Sequence, residues 1–482
     1  MLARRTYHSP MKLQDGPIDL SLAFERQRAA WSAAPCPGWE ERADRLRRLR
    51  RLLLDNEAAI SRAIDADFGG RPAFETELAE IWPSLEEVKV ALRHGRRWMK
   101  PRRAGVGKWF RPARAQVLPQ PLGVVGIIVP WNYPLFLAVG PLVAALAAGN
   151  RVMVKMSEFT PGFSALLQRL CAEAFSADEV CIVTGGPEVA AQFSALPFDH
   201  LLFTGSSPVG RKVMGAAAAN LTPVTLELGG KSPAIVTPGY PLAHAVERIL
   251  AGKLLNAGQT CIAPDYVLLP RESMAAFVQA ARDQARRSYP AGLADADYCS
   301  IVNERQYRRL AGEVDEAAAR GARVEPLFDG AARDDARHRL APVLLVDPPA
   351  DCGVLREEIF GPVLPLVGYD RLDDAIAFVN ARPRPLALYW FDRDSARVEQ
   401  ALRTLPAGGM TINDTLLHVT QHSLPFGGVG ASGMGHYHGQ WGFDTFSKLK
   451  PVFRQSRFNA MALFLPPYRP LARRMLGLMK RF

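Results

Sequence analysis

The stretch LGVVGIIVPWNYP, residues 122–134, decides the fold class. Its first half is a short apolar run rich in β-branched residues, and its second half is a turn built on Pro and Asn, a pattern typical of a buried strand. Similar runs follow at Arg151–Lys155, Glu179–Thr184, His200–Phe203 and Val224–Leu228, with longer helical patterns between them. Alternation of this kind predicts an α/β fold with a parallel sheet, whose first strand we place at Gly123–Val129.

Four of the segments that follow these strands are rich in turn-forming or polar residues. They are PWNYP (130–134), KMSEFTP (155–161), TGGPE (184–188) and TGSSPVG (204–210). Ligands of open α/β sheets bind at the carboxyl ends of the strands, so these segments should lie along one edge of the sheet.

A second alternation of strands and helices begins after Pro233 and continues to about Asn413. It predicts a separate α/β domain, entered through a helix at Ala243–Ala257 that ends at Gly258. The first hundred residues predict helices at Glu40–Asp67 and Phe74–Met99, without any recognisable site motif.

Length and composition limit the possible classes. A chain of 482 residues is long enough for two or three domains. The six cysteines are scattered singly, which favours neither a disulfide framework nor a zinc site and indicates a reducing compartment. The N-terminal residues have no apolar run of the secretory type, so we expect a cytoplasmic protein.

The formal net charge of +11 is unevenly distributed. After Asp444 the chain carries nine Lys or Arg residues and no acid, and subtracting nine leaves the rest near +2. Nucleic-acid binding is therefore not expected. The apolar stretch Val124–Gly149 is interrupted by Pro130, Pro134 and Gly140-Pro141, which disfavours a membrane span.

Cys261 follows the predicted helix end at Gly258 and precedes a predicted strand at Tyr266–Leu269. A thiolate on such a turn can attack a carbonyl group if its pKa is lowered by backbone N–H groups or a nearby cation. The alternative is a buried structural cysteine.

Two further residues, Glu227 and Asn132, could take part in a reaction at Cys261. Glu227 stands at a strand end before two glycines, where burial would raise its pKa enough for a general base; the alternative is a surface carboxylate at a hairpin. Asn132 offers an amide within an apolar segment, as an oxyanion donor or as a turn cap.

TGSSPVG follows a strand and opens a helix, which predicts a phosphate cradle. The later pattern GVGASG (428–433) precedes no clear helix, and we expect Gly427–Gly435 to pack near the site as a loop. The pairs His418/His422 and His436/His438 lack Cys or acidic partners at ligand spacing, so no metal site is expected. We expect these histidines either to make hydrogen bonds within loops or to line the substrate entrance.

Together these residues resemble the aldehyde dehydrogenase superfamily. The likeness covers roughly residues 21–453, and its motifs occur in order along the chain: PWNYP, KMSE (155–158), FTGSSPVG (203–210), ELGGKSP (227–233), GQTCIAP (258–264), EIFGP (358–362) and PFGG (425–428). Within the superfamily, the runs at 261–267, 412–418, 422–428 and 433–439 resemble the class 3 branch and, most closely, its bacterial coniferyl aldehyde dehydrogenases.

The resemblance implies a role for each matching residue. Cys261 corresponds to the nucleophile, Glu227 to the general base, and Asn132 with the Cys261 N–H to the oxyanion hole. The remaining residues correspond to contacts of an NAD, or alternatively NADP, cofactor. These are Lys155 and Glu158 at the adenosine ribose, Gly205, Ser206 and Gly210 at the pyrophosphate, Glu358 and Phe360 at the nicotinamide ribose, and Trp131 as a further cofactor contact.

The implied reaction is oxidation of an aldehyde to its acid through a thioester, with aromatic, cinnamyl-type or longer aliphatic aldehydes as substrates. The implied organisation is a Rossmann-type NAD-binding domain (1–232, with a bridging segment at about 101–121), a catalytic domain (233–425) and a return segment (426–456), in a homodimer.

Two other functions stay open from sequence: an aldehyde dehydrogenase that transfers the acyl group to coenzyme A, and a non-catalytic binding protein of the same fold. Residues 457–482 form a basic tail whose last dozen residues can make an amphipathic helix. Its two alternatives are weak contact with a membrane surface and packing on the body of the protein.

Overall fold

The computed structural model describes residues 18–481. The sequence-based expectations for the N-terminal segment and for Phe482 lie outside the described residues. The α-helices of this range, in chain order, are α1 (Leu20–Ala33), α2 (Trp39–Asp55), α3 (Glu57–Phe68), α4 (Ala73–Thr76), α5 (Trp82–Trp98), α6 (Phe136–Ala148), α7 (Pro161–Ala174), α8 (Pro187–Ser194), α9 (Ser207–Ala218), α10 (Leu242–Leu254), α11 (Met274–Ser288), α12 (Glu304–Ala319), α13 (Gly353–Arg356), α14 (Leu372–Asn380), α15 (Ser395–Thr404), α16 (Gly439–Thr445) and α17 (Pro470–Met479).

The strands of the same range are β1 (Arg102–Ala104), β2 (Arg114–Pro121), β3 (Val124–Ile128), β4 (Arg151–Lys155), β5 (Val180–Val183), β6 (His200–Gly205), β7 (Val224–Leu228), β8 (Pro233–Val236), β9 (Tyr266–Pro270), β10 (Arg323–Pro326), β11 (Arg333–Asp334), β12 (Arg339–Leu340), β13 (Val343–Val346), β14 (Val363–Tyr369), β15 (Ala387–Phe391), β16 (Gly409–Ile412), β17 (Gly433–Met434) and β18 (Ser447–Arg454).

The first large sheet has the strand order β17-β7-β6-β3-β4-β5. Its five long strands pair in parallel, and those predicted from sequence match within two residues at each end. These strands are almost entirely buried, which explains why they appear as continuous apolar runs rather than as alternating ones. Because they are parallel, the four polar segments that follow them lie at one edge, as predicted.

The second sheet has the order β10-β13-β14-β9-β8-β15-β16 and is parallel except for β10. It contains the strands of the second predicted α/β unit. A third sheet, β1-β2-β18, joins chain segments more than 300 residues apart, and an ion pair between Arg102 and Asp444 links α16 to it. We keep the domain bounds themselves as a prediction.

The N-terminal helices differ from the two long ones predicted. The first is interrupted at Asn56, whose side-chain amide donates to Leu52 O at 2.9 Å and so competes with the helix. The second contains a π-helical turn at Glu77–Ile81 just before α5. Pro83, at the start of α5, has no N–H to give to the preceding turn, which accounts for the local widening.

The C-terminal tail forms α17, close to its predicted position. Ala472 is buried, whereas Leu471, Leu476 and Leu478 are exposed, so most of its apolar side chains have no cover from the described part of the chain. The search of residues 18–481 for a helix able to cross a membrane found none that is long and apolar enough.

Candidate active site

A cavity of about 1010 Å³ opens at the carboxyl edge of the first sheet, where that sheet faces the second α/β unit. Eight residues singled out from sequence line it: Trp131, Asn132, Gly205, Ser206, Glu227, Cys261, Glu358 and Phe360. The structure therefore brings together the proposed nucleophile, base and oxyanion donor with most of the proposed cofactor contacts.

Three predicted cofactor contacts lie outside this lining. Lys155 ends β4 and donates from Nζ to Met156 O at 2.7 Å, with Glu158 Oε2 4.0 Å from the same nitrogen. Gly210 lies inside α9, where an added Cβ would be 2.8 Å from a methyl group of Leu228. Gly210 thus allows α9 to approach the sheet closely.

The nucleophile turn is built on a strained backbone. The predicted helix Ala243–Ala257 is wrong in its last turn, because α10 ends at Leu254 and the chain continues as a 3-10 turn to Gly258. Asn256 and Ala257 have φ of 54° and 49°, in the left-handed region that is costly for residues other than glycine. At Gly258, with φ of 77°, an added Cβ would collide with the carbonyl oxygen of Gly361.

Cys261 follows that turn and faces the cavity. Burial, together with the nearby carboxylates Glu358 and Glu227, raises the pKa of its thiol to about 12, although the N–H groups of Cys261 and Ile262 oppose this. The thiol is thus protonated at rest, so its reaction requires proton removal. The remaining cysteines belong to no disulfide in the described residues.

Glu227 is buried at the end of β7, so the sequence alternative of a surface carboxylate is wrong. Neither carboxylate oxygen has a hydrogen-bond partner in the described structure. Burial raises the pKa of Glu227 well above its ordinary value. A buried acceptor that lacks a protein partner is free to bind water or a reacting proton.

Asn132 is 3% exposed, and its Nδ2 donates to Gln259 O at 3.1 Å. A side-chain amide carries two N–H donors, so one remains for an oxygen atom of a ligand. The Asn132 amide therefore links the PWNYP segment to Gln259, two residues before Cys261. Its second N–H remains available as a donor.

Glu358 and Phe360 approach from the second α/β unit. The Glu358 carboxylate lies against Gly229, where any Cβ would collide with it, and burial raises its pKa to about 8. The Phe360 ring meets Trp131 edge-on with the ring centroids 5.4 Å apart. These contacts form the wall of the cavity beside Cys261.

The first hundred residues also contribute to the site, which sequence analysis missed. Glu75 accepts a hydrogen bond from the Asn256 N–H at 3.1 Å, and Arg71 donates to Asn132 O at 3.2 Å. Arg71 in turn forms an ion pair with Glu80 at 2.7 Å. No pattern in the sequence distinguishes these from ordinary helix-surface charges, because only the tertiary fold buries them.

The residues at the other end of the cavity suit a dinucleotide phosphate. Ser206 and Ser207 at the N-terminus of α9 line the cavity, and no side chain caps this helix end. Its free N–H groups can bind an anion, and Pro208 costs little in the first turn. The residues present therefore fit the pyrophosphate of a nicotinamide dinucleotide.

The histidines of the two pairs noted in the sequence make separate contacts. A search of residues 18–481 found no group of three potential ligands. His418 Nδ1 lies 2.9 Å from the Thr411 hydroxyl, and His422 pairs with Glu87 at 3.0 Å. His438 instead stacks on Phe426, with ring centroids 5.2 Å apart.

The glycine-rich return loop packs at the site, as expected. Gly433 pairs with Glu227 in the short antiparallel ladder of β17 with β7, and Ala431 lines the cavity.

Comparison with protein families decides the identity. Residues 19–452 match the model of the aldehyde dehydrogenase family. The chain belongs to that family. The resemblance and the α/β fold expected from sequence are thus confirmed, and the chain is an aldehyde-oxidising oxidoreductase that uses a nicotinamide cofactor.

Individual aldehyde dehydrogenases are similar over nearly the whole chain. A probable coniferyl aldehyde dehydrogenase of Pseudomonas aeruginosa is 54% identical, covering 93% of this chain and 94% of its own. A coniferyl aldehyde dehydrogenase of a Pseudomonas species is 46% identical, with 92% coverage of each. The solved substrate-bound Staphylococcus aureus AldH is 36% identical, with a TM-score of 0.91, covering 96% of this chain and all of its own.

Proposed function

We propose that this aldehyde dehydrogenase oxidises aromatic, cinnamyl-type aldehydes such as coniferaldehyde to carboxylic acids through a thioester on Cys261. The observation that carries the mechanism is the meeting of Cys261, Glu227 and Asn132 on one cavity. The similarity to two proteins named for coniferyl aldehyde supports the substrate class.

The first half of the reaction acylates the enzyme. The Cys261 thiol first loses its proton to solvent, and the thiolate then attacks the aldehyde carbon, so that the carbonyl oxygen becomes an alkoxide. The free N–H of Asn132 and the N–H of Cys261 stabilise that oxyanion. Bound nicotinamide supplies the hydride acceptor. Loss of hydride from the former aldehyde carbon leaves a thioester on Cys261.

The second half releases the product. Glu227 removes a proton from water, which attacks the thioester carbon, and the Cys261 sulfur leaves as the thiolate. A carboxylate with a raised pKa is a stronger base than an ordinary glutamate, so burial suits Glu227 to this step. The products are the carboxylic acid and the free enzyme.

The test is to trap the acylated enzyme. In Glu227→Gln, hydrolysis should slow by about 10²–10⁴-fold, and coniferaldehyde with NAD should give a stable mass increase equal to the acyl group. Peptide mapping should place this adduct on Cys261. An unmodified Cys261 during turnover, or unchanged turnover in Cys261→Ala, would overturn the mechanism.

A substrate panel tests the specificity. Coniferaldehyde, benzaldehyde, long aliphatic aldehydes and acetaldehyde are compared by kcat/KM, and we expect the aromatic aldehydes to lead. A preference for acetaldehyde would contradict the proposal. Free acid should form without coenzyme A; strict dependence on coenzyme A would instead establish acyl transfer, which the position of Glu227 disfavours.

We propose NAD as the better cofactor, with NADP accepted more weakly. Glu158 lies three residues after the end of β4, with its carboxylate 4.0 Å from Lys155 Nζ, where it would repel a 2′-phosphate. Glu158→Gln should therefore raise kcat/KM for NADP relative to NAD. An unchanged ratio would show that Glu158 does not face the ribose.

We also propose a homodimer. β18 is an edge strand of the third sheet, and Leu449, Phe453 and the neighbouring Phe110 are exposed. An exposed apolar edge strand favours pairing with another chain. Sedimentation analysis should give twice the mass of one chain, and Phe453→Lys should shift it toward the monomer.

The tail supports a further proposal of weak contact with anionic membranes. Arg473 and Arg474 are exposed on the same helix as Leu471, Leu476 and Leu478, the composition of an interfacial helix. Full-length protein should float with phosphatidylserine vesicles and not with phosphatidylcholine vesicles. Equal flotation of a chain truncated after Arg457 would contradict the proposal.

A further inference from the structure

Arg71 and Glu80 form a salt bridge whose two side chains are fully buried, with Nη1 and Oε1 2.7 Å apart. Desolvation of two charges is expensive, and a buried pair of this kind often adds no stability over apolar side chains of similar size. In some proteins such a pair instead fixes one arrangement of the groups around it. What the pair contacts therefore matters more than its strength.

The pair holds both ends of one short segment. Glu80 Oε2 accepts hydrogen bonds from the N–H groups of Leu135 at 2.6 Å and Phe136 at 3.2 Å, where α6 begins. Arg71 Nη1 donates to the backbone carbonyl of Asn132 at 3.2 Å. Residues 132–136 are thus fixed at one end by a cation and at the other by an anion.

The same segment is tied to the nucleophile turn. The Asn132 carbonyl accepts a second bond from Asn256 Nδ2 at 3.1 Å, and the Asn132 amide donates to Gln259 O at 3.1 Å. Gln259 is two residues from Cys261. A rotation of the Asn132 peptide would move its amide away from the position beside Cys261.

The π-helical turn Glu77–Ile81 places Glu80 in this network. Turns of this type inside helices occur often at functional sites. Here the turn places the Glu80 carboxylate at the start of α6, where the first backbone N–H groups of a helix have no partner within the helix.

We propose that Arg71, paired with Glu80, is a positioning residue that sets the pose of the Asn132 amide in the acylation step. The proposal rests on the proposed oxyanion role of Asn132. Arg71 does not touch the reacting atoms; it acts through the Asn132 backbone. Its loss should slow acylation with little change in cofactor binding.

The experiment is a double-mutant cycle on full-length protein, read as the single-turnover rate of NADH formation with a saturating aromatic aldehyde. Asn132→Ala should lower this rate by about 10²-fold. Arg71→Met should lower it by about 10–100-fold, as expected when a reacting group is misplaced. In the Asn132→Ala background, Arg71→Met should have less than about a twofold effect, because residues acting through one group are not additive.

Arg71→Lys is the conservative variant, and it should restore part of the rate because a cation remains to pair with Glu80. The matched control is Arg45→Met. Arg45 is another buried arginine, bonded to Glu179 at 3.1 Å and Glu41 at 2.6 Å, and neither partner belongs to the nucleophile turn or to residues 132–136. Its loss should affect thermal stability without changing the acylation rate.

The outcomes distinguish failure of the proposed oxyanion role of Asn132 from failure of the positioning role of Arg71. If Asn132→Ala acylates at the wild-type rate, the proposed oxyanion role is wrong. If Asn132→Ala is slow but Arg71→Met reduces its rate further by the full single-mutant factor, Asn132 keeps its role and the positioning inference is overturned. Wild-type acylation in folded Arg71→Met also overturns it, as does an equal loss of rate in Arg45→Met.

Discussion

Gly433 lies directly opposite Glu227 where β17 pairs antiparallel with β7. The adjoining bond from Leu228 N to Ser432 O is 3.1 Å long. The return loop therefore holds the backbone of Glu227 on the side of β7 that does not pair with β6. Two segments more than 200 residues apart in the chain thus have to meet for the base to be held in place.

Gly433→Ala should damage both stability and turnover. Gly433 has φ of 139°, and an added Cβ would collide with the backbone oxygen of Leu226, which cannot move aside. We expect a loss of about 1–3 kcal/mol, from a strained backbone conformation, together with a lower kcat. Thermal unfolding and steady-state assays measure the two effects.

The control for that variant is Gly215→Ala. Gly215 lies within α9 with open space around its Cβ position, so alanine should stabilise the protein by about 0.5–1 kcal/mol. Equal unfolding temperatures for the two variants would contradict the close approach at Gly433.

Glu227→Gln should stabilise the protein above about pH 5. Burial raises the folded-state pKa of Glu227, so the folded state binds its proton more tightly than the unfolded state does. That contribution is fully present below the unfolded pKa of about 4.3 and is lost as pH rises through the folded pKa. Glutamine mimics the protonated form, so its advantage in melting temperature should grow with pH and then level off.

The exposed carboxylate Glu399, 63% exposed beside Arg403, provides the comparison for that pH series. Glu399→Gln should leave the pH profile of the melting temperature nearly parallel to wild type. A Glu227→Gln profile parallel to wild type as well would mean that the carboxylate is solvated in the folded protein.

Glu358→Gln should make Cys261 more reactive toward iodoacetamide. After burial, the charge on Glu358 is the largest influence raising the pKa of the Cys261 thiol. Since the pKa of Glu358 is itself raised to about 8, the rate difference should increase above that pH. Thiolate is the reactive form, and its fraction changes tenfold for each unit of pKa. Peptide mass spectrometry after timed alkylation measures the site-specific rates.

Cys36, which is exposed, gives an internal reference in the same samples. Its alkylation rate should not differ between wild type and Glu358→Gln. If Cys261 reacts no faster in the variant at pH 9, the two side chains are not electrostatically coupled.

The local sequence pattern was sufficient to predict the strands of the first sheet and the turns that follow them. The run Val224–Leu228 predicts β7 to the residue, because a buried parallel strand is mostly apolar along its length and Glu227 is the only charged residue of this run. Cys261 likewise falls on a turn before β9, as Gly258 and Pro264 indicate.

Long-range packing accounts for what the sequence did not reveal. The distortion at Asn256 and Ala257 depends on Glu75, which is 181 residues away and accepts the Asn256 N–H. Arg71 precedes α4 and Glu80 lies nine residues later in the π-helical turn, and nothing local distinguishes them from solvated charges. Helical periodicity cannot report that another part of the chain covers them.

Asn150 joins three parts of the fold through its side chain. Its Oδ1 accepts from the N–H groups of Leu122 at 2.8 Å and Gly123 at 3.0 Å, at the entry to β3. Its Nδ2 donates to Ala145 O at 3.1 Å, in the last turn of α6, and to Phe446 O at 2.9 Å, just before β18. All four bonds are made by a side chain with no solvent exposure.

Asn150→Ala should therefore lower stability by about 2–4 kcal/mol, because it leaves buried N–H and C=O groups without partners. The shift of the urea midpoint measures this loss. Asn220→Ala removes an exposed amide that makes one bond, to Ala195 O at 2.8 Å, and should cost less than about 1 kcal/mol. Since Asn150 lies at the amino ends of β3 and β4, opposite the carboxyl edge that lines the cavity, kcat should change little in folded protein. A midpoint shift no larger than that of Asn220→Ala would show that water replaces the lost amide, and that the three segments hold together without it.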